Sequence, residues 1–378
     1  MRIVFVDTYY RRFLKKHYAD HPSLESESYE SQRQSLIDAR FGTSDFYSKY
    51  LNEFGCEAID LIVNCRPLQS AWLHENVSGS SALALPIPHR FYRVPVIGRT
   101  LAGLPGFIDV VLAQIEALKP DILYCHDLSF FPGAVLKRIK SHVRLVVGQI
   151  ASPLPPKSFL EDYDLILTSL PHFVSRIREA GVRSEYFRLG FDPRMANMFE
   201  GVPRDLDVSF VGGIGRSHKN AISLLEHLAH HTPIRIFGYG IEGIPADSPI
   251  VERHEGEVWG LEMYRVLARS RITINRHIGI AENYANNMRL YEATGMGALL
   301  LTEEKDNLGD IFEPGREVET YSNRDEIVEK INALLRGNRL EEVAAAGQAR
   351  TLREHSYQER MKELVVILTK YLRESPGR

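Results

Sequence analysis

Short apolar runs alternate with amphipathic segments along the whole chain. In the first half, six runs are predicted to be strands: Ile3–Val6, Ala58–Val63, Ile122–Cys125, Leu145–Gly148, Leu165–Thr168 and Tyr186–Leu189. The alternation starts again in the second half with five more: Val208–Val211, Ile234–Phe237, Ile272–Ile274, Ala298–Leu301 and Val318–Tyr321. Near-continuous apolar strands separated by helices are typical of parallel sheets covered on both faces. The pattern therefore predicts an α/β chain with two Rossmann-like domains.

The predicted domain boundary lies in a segment with little periodicity, Gly190 to Arg204, which contains Pro193 and Pro203. A length of 378 residues also exceeds one ordinary hydrophobic core. We predict a first domain over residues 1–190, a second over 205–355 and a final helix over 356–378.

Two segments do not fit the alternation of strands and helices. Residues 9–40 are polar and rich in tyrosine, serine and charge, and residues 83–106 hold four prolines among basic and aromatic side chains. Connections of this length are uncommon unless they are functional or disordered. We expect both inserts to be loops on the ligand-binding side of the first domain.

Composition excludes several functional classes. A net charge of −3 gives no overall attraction to nucleic acid. The three cysteines have apolar flanks and no metal-ligand spacing, which indicates reduced thiols and a cytoplasmic protein. Since no apolar run reaches membrane-spanning length, we expect at most peripheral membrane contact.

Two glycine turns follow strands of the second half. Gly212 and Gly213 precede Arg216 and Lys219 at a predicted helix start. Glycines let the backbone approach a ligand, the N–H groups of a helix start suit a diphosphate, and basic side chains would neutralise its charge. The alternative is a flexible turn with solvated basic residues. The second turn holds Gly238 and Tyr239, where a tight turn is an equally good interpretation.

A third candidate stretch follows the strand that ends at Asn275. It leads into a short predicted helix with Asn287 at its start and with Arg289 and Glu292 on one face, because these two lie three residues apart. A carboxylate can accept hydrogen bonds from both hydroxyls of a ribose. Opposite charges near a helix start thus suit a ligand with phosphates and sugar hydroxyls, although Glu292 could instead be a surface residue paired with Arg289.

The stretch from Asn275 to Gly297 resembles the C-terminal signature of spore-maturation-protein CgeB-like glycosyltransferases, which belong to the GT-B transferases. The resemblance implies two Rossmann-like domains whose parallel sheets face a central cleft, with the final helix returning to the first domain. It implies a hexosyltransferase-like enzyme that moves a sugar from a nucleotide-diphosphate sugar to a glycan, lipid-linked or protein acceptor, with retention of configuration. Glu292 matches the family glutamate that holds the ribose. Glu282, however, precedes it by ten residues, whereas many retaining members have two glutamates eight apart.

The first domain contributes His126, which follows a predicted strand and resembles the cleft histidine of many GT-B transferases. We interpret it as catalytic or substrate-binding, with a structural histidine as the alternative. The adjacent Asp127 forms no dyad with it, since neighbouring residues at a strand end point apart.

No metal and no cofactor are expected besides the donor substrate. Asp205-Leu206-Asp207 looks like the metal-binding Asp-x-Asp of GT-A enzymes, but it leads into a predicted strand. Arg216, Lys219 and helix starts would stabilise the leaving diphosphate instead. Two other functions stay open: a GT-B nucleotide-sugar 2-epimerase, and a non-catalytic coat or assembly protein.

Overall fold

A computed structural model describes residues 1–77, 107–214 and 219–374, with side chains for all of these except 219–221. The insert predicted at 83–106 lies outside the described residues, as does Arg216. The side chain of Lys219 is likewise not described.

The described residues form two parallel sheets. The first contains β1 (Arg2–Asp7), β2 (Glu57–Ile62), β3 (Ile122–Cys125), β4 (Leu145–Ile150), β5 (Leu165–Thr168) and β6 (Ser184–Tyr186), in the order β2-β1-β3-β4-β5-β6. The second contains β7 (Leu206–Val211), β8 (Ile234–Phe237), β9 (Ser270–Asn275), β10 (Leu299–Glu303) and β11 (Glu319–Tyr321), in the order β11-β10-β9-β7-β8. Each strand overlaps one predicted from its apolar run.

Helices separate the strands. Those of the first half are α1 (Arg11–Asp20), α2 (Tyr29–Asp38), α3 (Phe46–Glu53), α4 (Arg66–Asn76), α5 (Phe107–Leu118), α6 (Gly133–Ile139) and α7 (Pro171–Glu179). Those that follow are α8 (Pro193–Met198), α9 (Lys219–His231), α10 (Pro249–Arg253), α11 (Leu261–Arg269), α12 (Arg289–Gly295), α13 (Arg324–Arg336), α14 (Leu340–Glu354) and α15 (Tyr357–Glu374). By the length and apolar character of the described helices, none could span a membrane.

The chain divides into two compact units. One comprises Met1–Arg188 with Met361–Arg378, and the other comprises Leu189–Arg360. The segment expected to be an irregular linker thus lies in the second unit and contains α8. The residue before this helix is Asp192, whose side chain accepts a hydrogen bond from the Arg194 N–H at 2.9 Å.

The polar insert expected to be a loop over residues 9–40 is largely helical, and that prediction is wrong. Helix α1 buries Phe13 and His17, and α2 is capped by Ser28. The two helices are joined by a 2.9 Å hydrogen bond between the His17 ring and the Ser35 hydroxyl. Each helix buries few side chains, so the apolar periodicity that reveals a longer helix is absent here.

The order of the strands positions the ligand edge of each sheet. In the first sheet the chain passes from β1 outward to β2 and then returns to the other side of β1 with β3. In the second it passes from β7 to β8 and returns to the other side of β7 with β9. Parallel sheets bind ligands beyond the carboxyl ends of their strands, where the strand order reverses. We call these two places the β1/β3 edge and the β7/β9 edge.

Candidate functional site

The two predicted glycine turns lie side by side at the β7/β9 edge. The Gly212 N–H donates to the Phe237 carbonyl at 3.0 Å, and the Ile214 N–H donates to the Tyr239 carbonyl at 2.9 Å. A Cβ atom on Gly238 would lie 1.8 Å from the carbonyl oxygen of Gly212. The sequence therefore needs glycine at Gly238 because the backbones of the two turns touch there.

An aromatic pair covers this turn. A Cβ atom on Gly213 would lie 3.0 Å from the Tyr239 ring, which stacks on Trp259 with centroids 5.3 Å apart and planes 18° apart. Both side chains are half-buried. Tyr239 is thus held between the glycine turn and Trp259. Trp259 comes from the loop before α11, and no sequence pattern connects it with the turn.

Asn275 and Asn287 are joined directly. The Asn287 amide donates to the Asn275 side-chain oxygen at 2.8 Å and to the Arg276 carbonyl at 2.9 Å, while its own oxygen accepts from the Leu290 N–H at 3.2 Å. Asn275 is buried and donates to the Thr302 hydroxyl at 2.9 Å. Both side chains therefore fix the path of the loop between β9 and α12.

The neighbouring pair Arg276 and His277 is held by one carboxylate. Glu303 accepts from the Arg276 Nε at 3.0 Å and from the His277 N–H at 3.0 Å. Burial lowers the pKa of His277 to about 4, so this ring is neutral at pH 7. Its Nδ1 accepts from the Asn286 N–H at 3.2 Å, which leaves the proton on Nε2, facing the Thr302 hydroxyl at 3.2 Å.

Arg289 and Glu292 form the pair that their spacing predicts. Arg289 Nη1 lies 2.8 Å from Glu292 Oε2. Glu292 is only 4% exposed, so it is no surface residue. Burial raises its pKa, against the opposing effects of the Arg289 charge and of a hydrogen bond from Tyr264 of α11. The carboxylate is thus pre-positioned by two partners, of which the sequence indicated one.

Glu282 has a strained backbone in the loop before α12, with φ 52°. Its carbonyl accepts a hydrogen bond from Lys305 Nζ at 2.9 Å, and its side chain is exposed. A positive φ in a non-glycine residue costs free energy and is concentrated at functional loops.

His126 lies at the β1/β3 edge and has a partner that the sequence did not reveal. Its Nδ1 lies 2.6 Å from Asp7 Oδ1, and both side chains are largely buried. Burial alone would lower the pKa of His126, but the charge of Asp7 and the hydrogen bond to it outweigh burial and raise the pKa. Asp127 instead accepts from the Thr8 hydroxyl at 3.2 Å, consistent with the expectation that it forms no dyad with His126.

A second buried acid lies close by in β2. Asp60 is 3% exposed and accepts a hydrogen bond from the Ser48 hydroxyl of α3. Burial raises its pKa to about 7, with the nearby charge of Asp7 adding to the increase.

Aromatic rings surround His126, including Phe5 stacked at 5.8 Å and Tyr47 edge-on at 5.1 Å.

The two acidic residues at the start of β7, Asp205 and Asp207, are each paired with an arginine. Asp205 accepts two hydrogen bonds from Arg269, at 2.7 and 2.8 Å, and Asp207 lies 3.0 Å from Arg271. Among the residues that the structure describes, no cluster of three or more histidine, cysteine or acidic side chains could hold a metal ion.

Part of the chain matches a known protein family. Residues 216–365 match the family model described as glycosyl transferase-like. No curated protein sequence matches the chain.

Solved structures match over nearly the whole chain. Sucrose-phosphate synthase of Thermosynechococcus elongatus has a TM-score of 0.60 at 10% identity, covering 99% of this chain and 100% of that one. A glycosyltransferase of Rickettsia africae has a TM-score of 0.57 at 13% identity, covering 99% of each chain. Anabaena HepE, in complex with UDP-glucose, has a TM-score of 0.60 at 12% identity, covering 98% of this chain and 100% of that one.

At these identities the structural likeness establishes the fold, and it confirms the predicted GT-B architecture of two Rossmann-like domains with parallel sheets. The narrower resemblance to CgeB-like transferases stays a prediction, as do the roles of the individual site residues. Residues 216–365 are thus similar to a glycosyl transferase-like domain within a chain of GT-B fold, and these findings together support a transferase enzyme.

Proposed function

We propose that this protein transfers a sugar from a nucleotide-diphosphate sugar to an acceptor, and that its second unit binds the donor. The observation that carries the proposal is the composition of the β7/β9 edge. There the turns at Gly212 and Gly238 and the end of β9 at Asn275 come from three neighbouring strands. This edge combines close-packed backbone with a polar loop, which suits a ligand that has phosphates, hydroxyls and a flat base.

The nature of the donor is supported by a structural neighbour. HepE was solved with UDP-glucose, with UDP and glucose, and with UDP. We assign the ribose of such a donor to Glu292 and its diphosphate to the N–H groups near Gly212 and Gly213, with Arg289 near the phosphates. Tyr239, held flat against Trp259, is assigned to the base or ribose.

For the leaving diphosphate we propose Arg216, Lys219 and the start of α9, without a metal ion. The sequence supplies two positive charges directly after the glycine turn. Fixed donors help most where charge grows in the transition state. The role of Arg216 and Lys219 rests on sequence position alone. Retention of configuration rests on the resemblance to CgeB-like enzymes.

In the first unit we assign His126 to a substrate hydroxyl and Asp7 to the positioning of its ring. Asp7 binds Nδ1, which fixes the proton there and leaves Nε2, a buried atom, as the nitrogen that would meet a substrate hydroxyl. The acceptor itself is proposed only as a molecule with a free hydroxyl, whether glycan, lipid-linked sugar or protein.

The β1/β3 edge also favours one second candidate, a nucleotide-sugar 2-epimerase. Such an enzyme needs carboxylates and a histidine near the sugar, and the structure places Asp7, Asp127 and His126 at one sheet edge. Fewer carboxylates are recognisable here from the sequence, because Asp7 and His126 are far apart along the chain and meet only through the pairing of β1 with β3.

The test is a thermal-stability screen of nucleotide sugars and their nucleoside diphosphates against wild type and Glu292→Ala. A ligand present at about 100 times its Kd stabilises the fold by about 2.7 kcal/mol, which raises Tm by several degrees. We expect at least one nucleotide sugar to do so in wild type and to give a clearly smaller shift in the variant, with or without EDTA. A shift that requires Mg²⁺ or Mn²⁺ would refute metal independence, and no shift with any nucleotide sugar would refute the proposed donor.

Product analysis separates the two enzyme classes. A transferase releases a nucleoside diphosphate only as sugar moves to an acceptor. A 2-epimerase instead converts the donor to its epimer with no acceptor added and releases no nucleoside diphosphate during that conversion.

A further inference from the structure

The ring of His126 lies among three aromatic side chains from three different elements. Phe5 of β1 stacks on it with centroids 5.8 Å apart, Tyr47 of α3 meets it edge-on at 5.1 Å, and Tyr124 of β3 lies at 5.1 Å with planes 65° apart. All three side chains are fully buried, and we call them the aromatic cage. The orientation of the imidazole therefore depends on where these three rings are held.

Two members of the cage carry hydroxyl groups, and Gln149 of β4 binds both. The Tyr124 hydroxyl donates to Gln149 Oε1 at 2.6 Å. The Tyr47 hydroxyl lies 3.2 Å from the same oxygen and 3.1 Å from the amide nitrogen. Gln149 is itself buried. One buried amide thus joins a ring of α3 to a ring of β3 next to His126.

The register of the first sheet places Gln149 beside His126. Cys125 of β3 pairs with Gly148 of β4, so the residues that follow them, His126 and Gln149, lie side by side on neighbouring strands. Gln149 is also the one polar side chain of β4, whose other residues are apolar or glycine. A polar group thus interrupts an otherwise apolar strand at the level of the proposed substrate-binding histidine.

Stability alone does not account for this polar group. Two phenylalanines and a leucine would fill nearly the same volume as the two tyrosines and Gln149. Replacing all partners of a buried hydrogen bond by apolar groups costs little, whereas leaving one partner unsatisfied costs the full desolvation penalty. The hydrogen-bonded arrangement is therefore a liability for folding, and departures of this kind are expected at functional sites.

We propose that Gln149 is a positioning residue for His126: by binding the two tyrosine hydroxyls it holds the aromatic cage in place and so fixes the orientation of the imidazole. A general acid or base must lie within hydrogen-bond reach of the proton that it transfers. A ring that turns within its cage loses this reach for part of the time. The inference rests on the role proposed above for His126, and Gln149 itself is assigned no contact with substrate.

Three variants test the proposal. Gln149→Leu removes the amide from between the two hydroxyls. The triple variant Tyr47→Phe, Tyr124→Phe and Gln149→Leu removes all three polar groups, so it should recover stability that the single variant loses. Gln114→Leu is the control, because it removes another buried glutamine of the first unit, which bonds Gln69 of α4. Circular dichroism and urea denaturation establish that each variant is folded.

The first measurement is NMR titration of the His126 ring, with nitrogen shifts that report which ring atom carries the proton. Wild type and Gln114→Leu should hold one neutral tautomer, with the proton on Nδ1 against Asp7. Burial lowers the pKa of His126, while the charges of Asp7 and Asp60 and the nearby Gln149 side chain oppose burial. Both variants that lack Gln149 should therefore show a lower pKa and a mixture of tautomers.

The second measurement is turnover, with a donor found by the thermal-stability screen. Both variants that lack Gln149 should lower kcat roughly tenfold or more and change KM for the donor by less than about twofold. The reason is that a misplaced catalytic group affects the transition state, whereas the donor is assigned to the second unit. Gln114→Leu should turn over like wild type.

Three results would overturn the proposal: a wild-type pKa and tautomer of His126 in the folded triple variant, altered ring signals with unchanged kcat, or equal changes in the control. The triple variant decides the outcome if Gln149→Leu does not fold. The NMR measurement uses neither donor nor acceptor. Altered ring signals in the variants, with no transfer by wild type, would therefore support the positioning of the ring and refute the proposed transfer.

Discussion

The two sheet edges are built from different kinds of group, although they arise from the same topology. The β1/β3 edge holds groups that exchange protons, with His126 against Asp7 and with Asp60 close behind. The β7/β9 edge combines touching glycines and neutral amides with the ion pair of Arg276 and Glu303, and its histidine, His277, is kept uncharged by burial. The first edge therefore holds ionisable groups whose pKa values are raised, whereas the second depends on the close packing of its turns.

This contrast predicts different sensitivities for the two units. Substitutions that add volume should damage the second edge most, and substitutions that change charge should alter the pH dependence of the first. Four predictions test the contrast, ordered by the size of the effect.

The largest effect is expected at Gly238. In Gly238→Ala the new Cβ would lie 1.8 Å from the Gly212 carbonyl, so one of the two turns must move. We expect a loss of at least about 4 kcal/mol in the free energy of unfolding, measured by urea denaturation. The control is Gly279→Ala, whose Cβ would meet nothing within 4 Å and which should change stability by less than about 0.5 kcal/mol. Equal stability of the two variants would disprove the close approach of the turns.

The second effect concerns Asp60, whose pKa is raised by burial to about 7 in the folded protein, against an ordinary value of 3.8. Between about pH 4 and 7 the unfolded carboxyl ionises while the folded one resists ionisation, so this group lowers wild-type stability as pH rises. Asp60→Asn removes that loss. The free energy of unfolding of the variant, relative to that of wild type, should therefore rise by about 3 kcal/mol as the pH is raised from 4 to 7, measured by urea denaturation.

Asp205→Asn is the matched control for this measurement. Asp205 is exposed, and its hydrogen bonds from Arg269 lower its pKa. The stability that ionised Asp205 contributes is therefore present at neutral pH and lost as the pH falls, which is the opposite trend to that of Asp60. The same pH trend in both variants would contradict the assignment to a buried carboxyl.

The third effect concerns ligand affinity at the second edge. Glu292→Ala removes the proposed ribose acceptor and should weaken nucleoside diphosphate binding roughly tenfold or more, because a charge-assisted hydrogen bond contributes about 1.5–3 kcal/mol. Isothermal titration calorimetry measures the change. Glu342→Ala, which removes an exposed glutamate of α14, serves as the control and should bind like wild type. Unchanged affinity in Glu292→Ala would remove Glu292 from the donor site.

The smallest effect is expected in the pKa of His126. With Asp7→Asn the strongest of the charges that raise this pKa is gone, so burial should lower the pKa of His126. NMR titration of the ring detects the change. Asp127→Asn, adjacent in sequence but bonded to Thr8, should leave the pKa unaltered. A pKa of His126 that responds equally to both substitutions would show that the Asp7 contact is not specific.

The strands were predictable because both faces of each sheet are covered. Ile3, Val4 and Phe5 are all fully buried, so β1 appears in the sequence as an unbroken apolar run rather than as an alternating pattern. The short polar helices α1 and α2 gave no such signal. Few of their side chains are buried, and the contacts that hold them, such as His17 with Ser35, join positions with no recognisable sequence relation.

The candidate site was predictable only where its residues are close in sequence. Arg289 and Glu292 share a helix face, and their spacing is enough to indicate the observed pair. Asp7 and His126 are separated by 119 positions and meet only because β1 and β3 are neighbours in the sheet. Tyr264 is likewise brought to Glu292 by tertiary packing of α11 against α12.

The final helix has a consequence for the order in which the protein is made. Residues from Met361 onward group with the first unit, where the Tyr371 hydroxyl donates to Glu185 at 2.7 Å, while Leu189–Arg360 form the second unit. Chains leave the ribosome from the N-terminus at roughly 5–20 residues per second. The second unit is therefore complete in sequence while the first still lacks its last helix, although most of the first is made before the second. The half of the molecule that emerges earliest is the one whose native contacts are completed last.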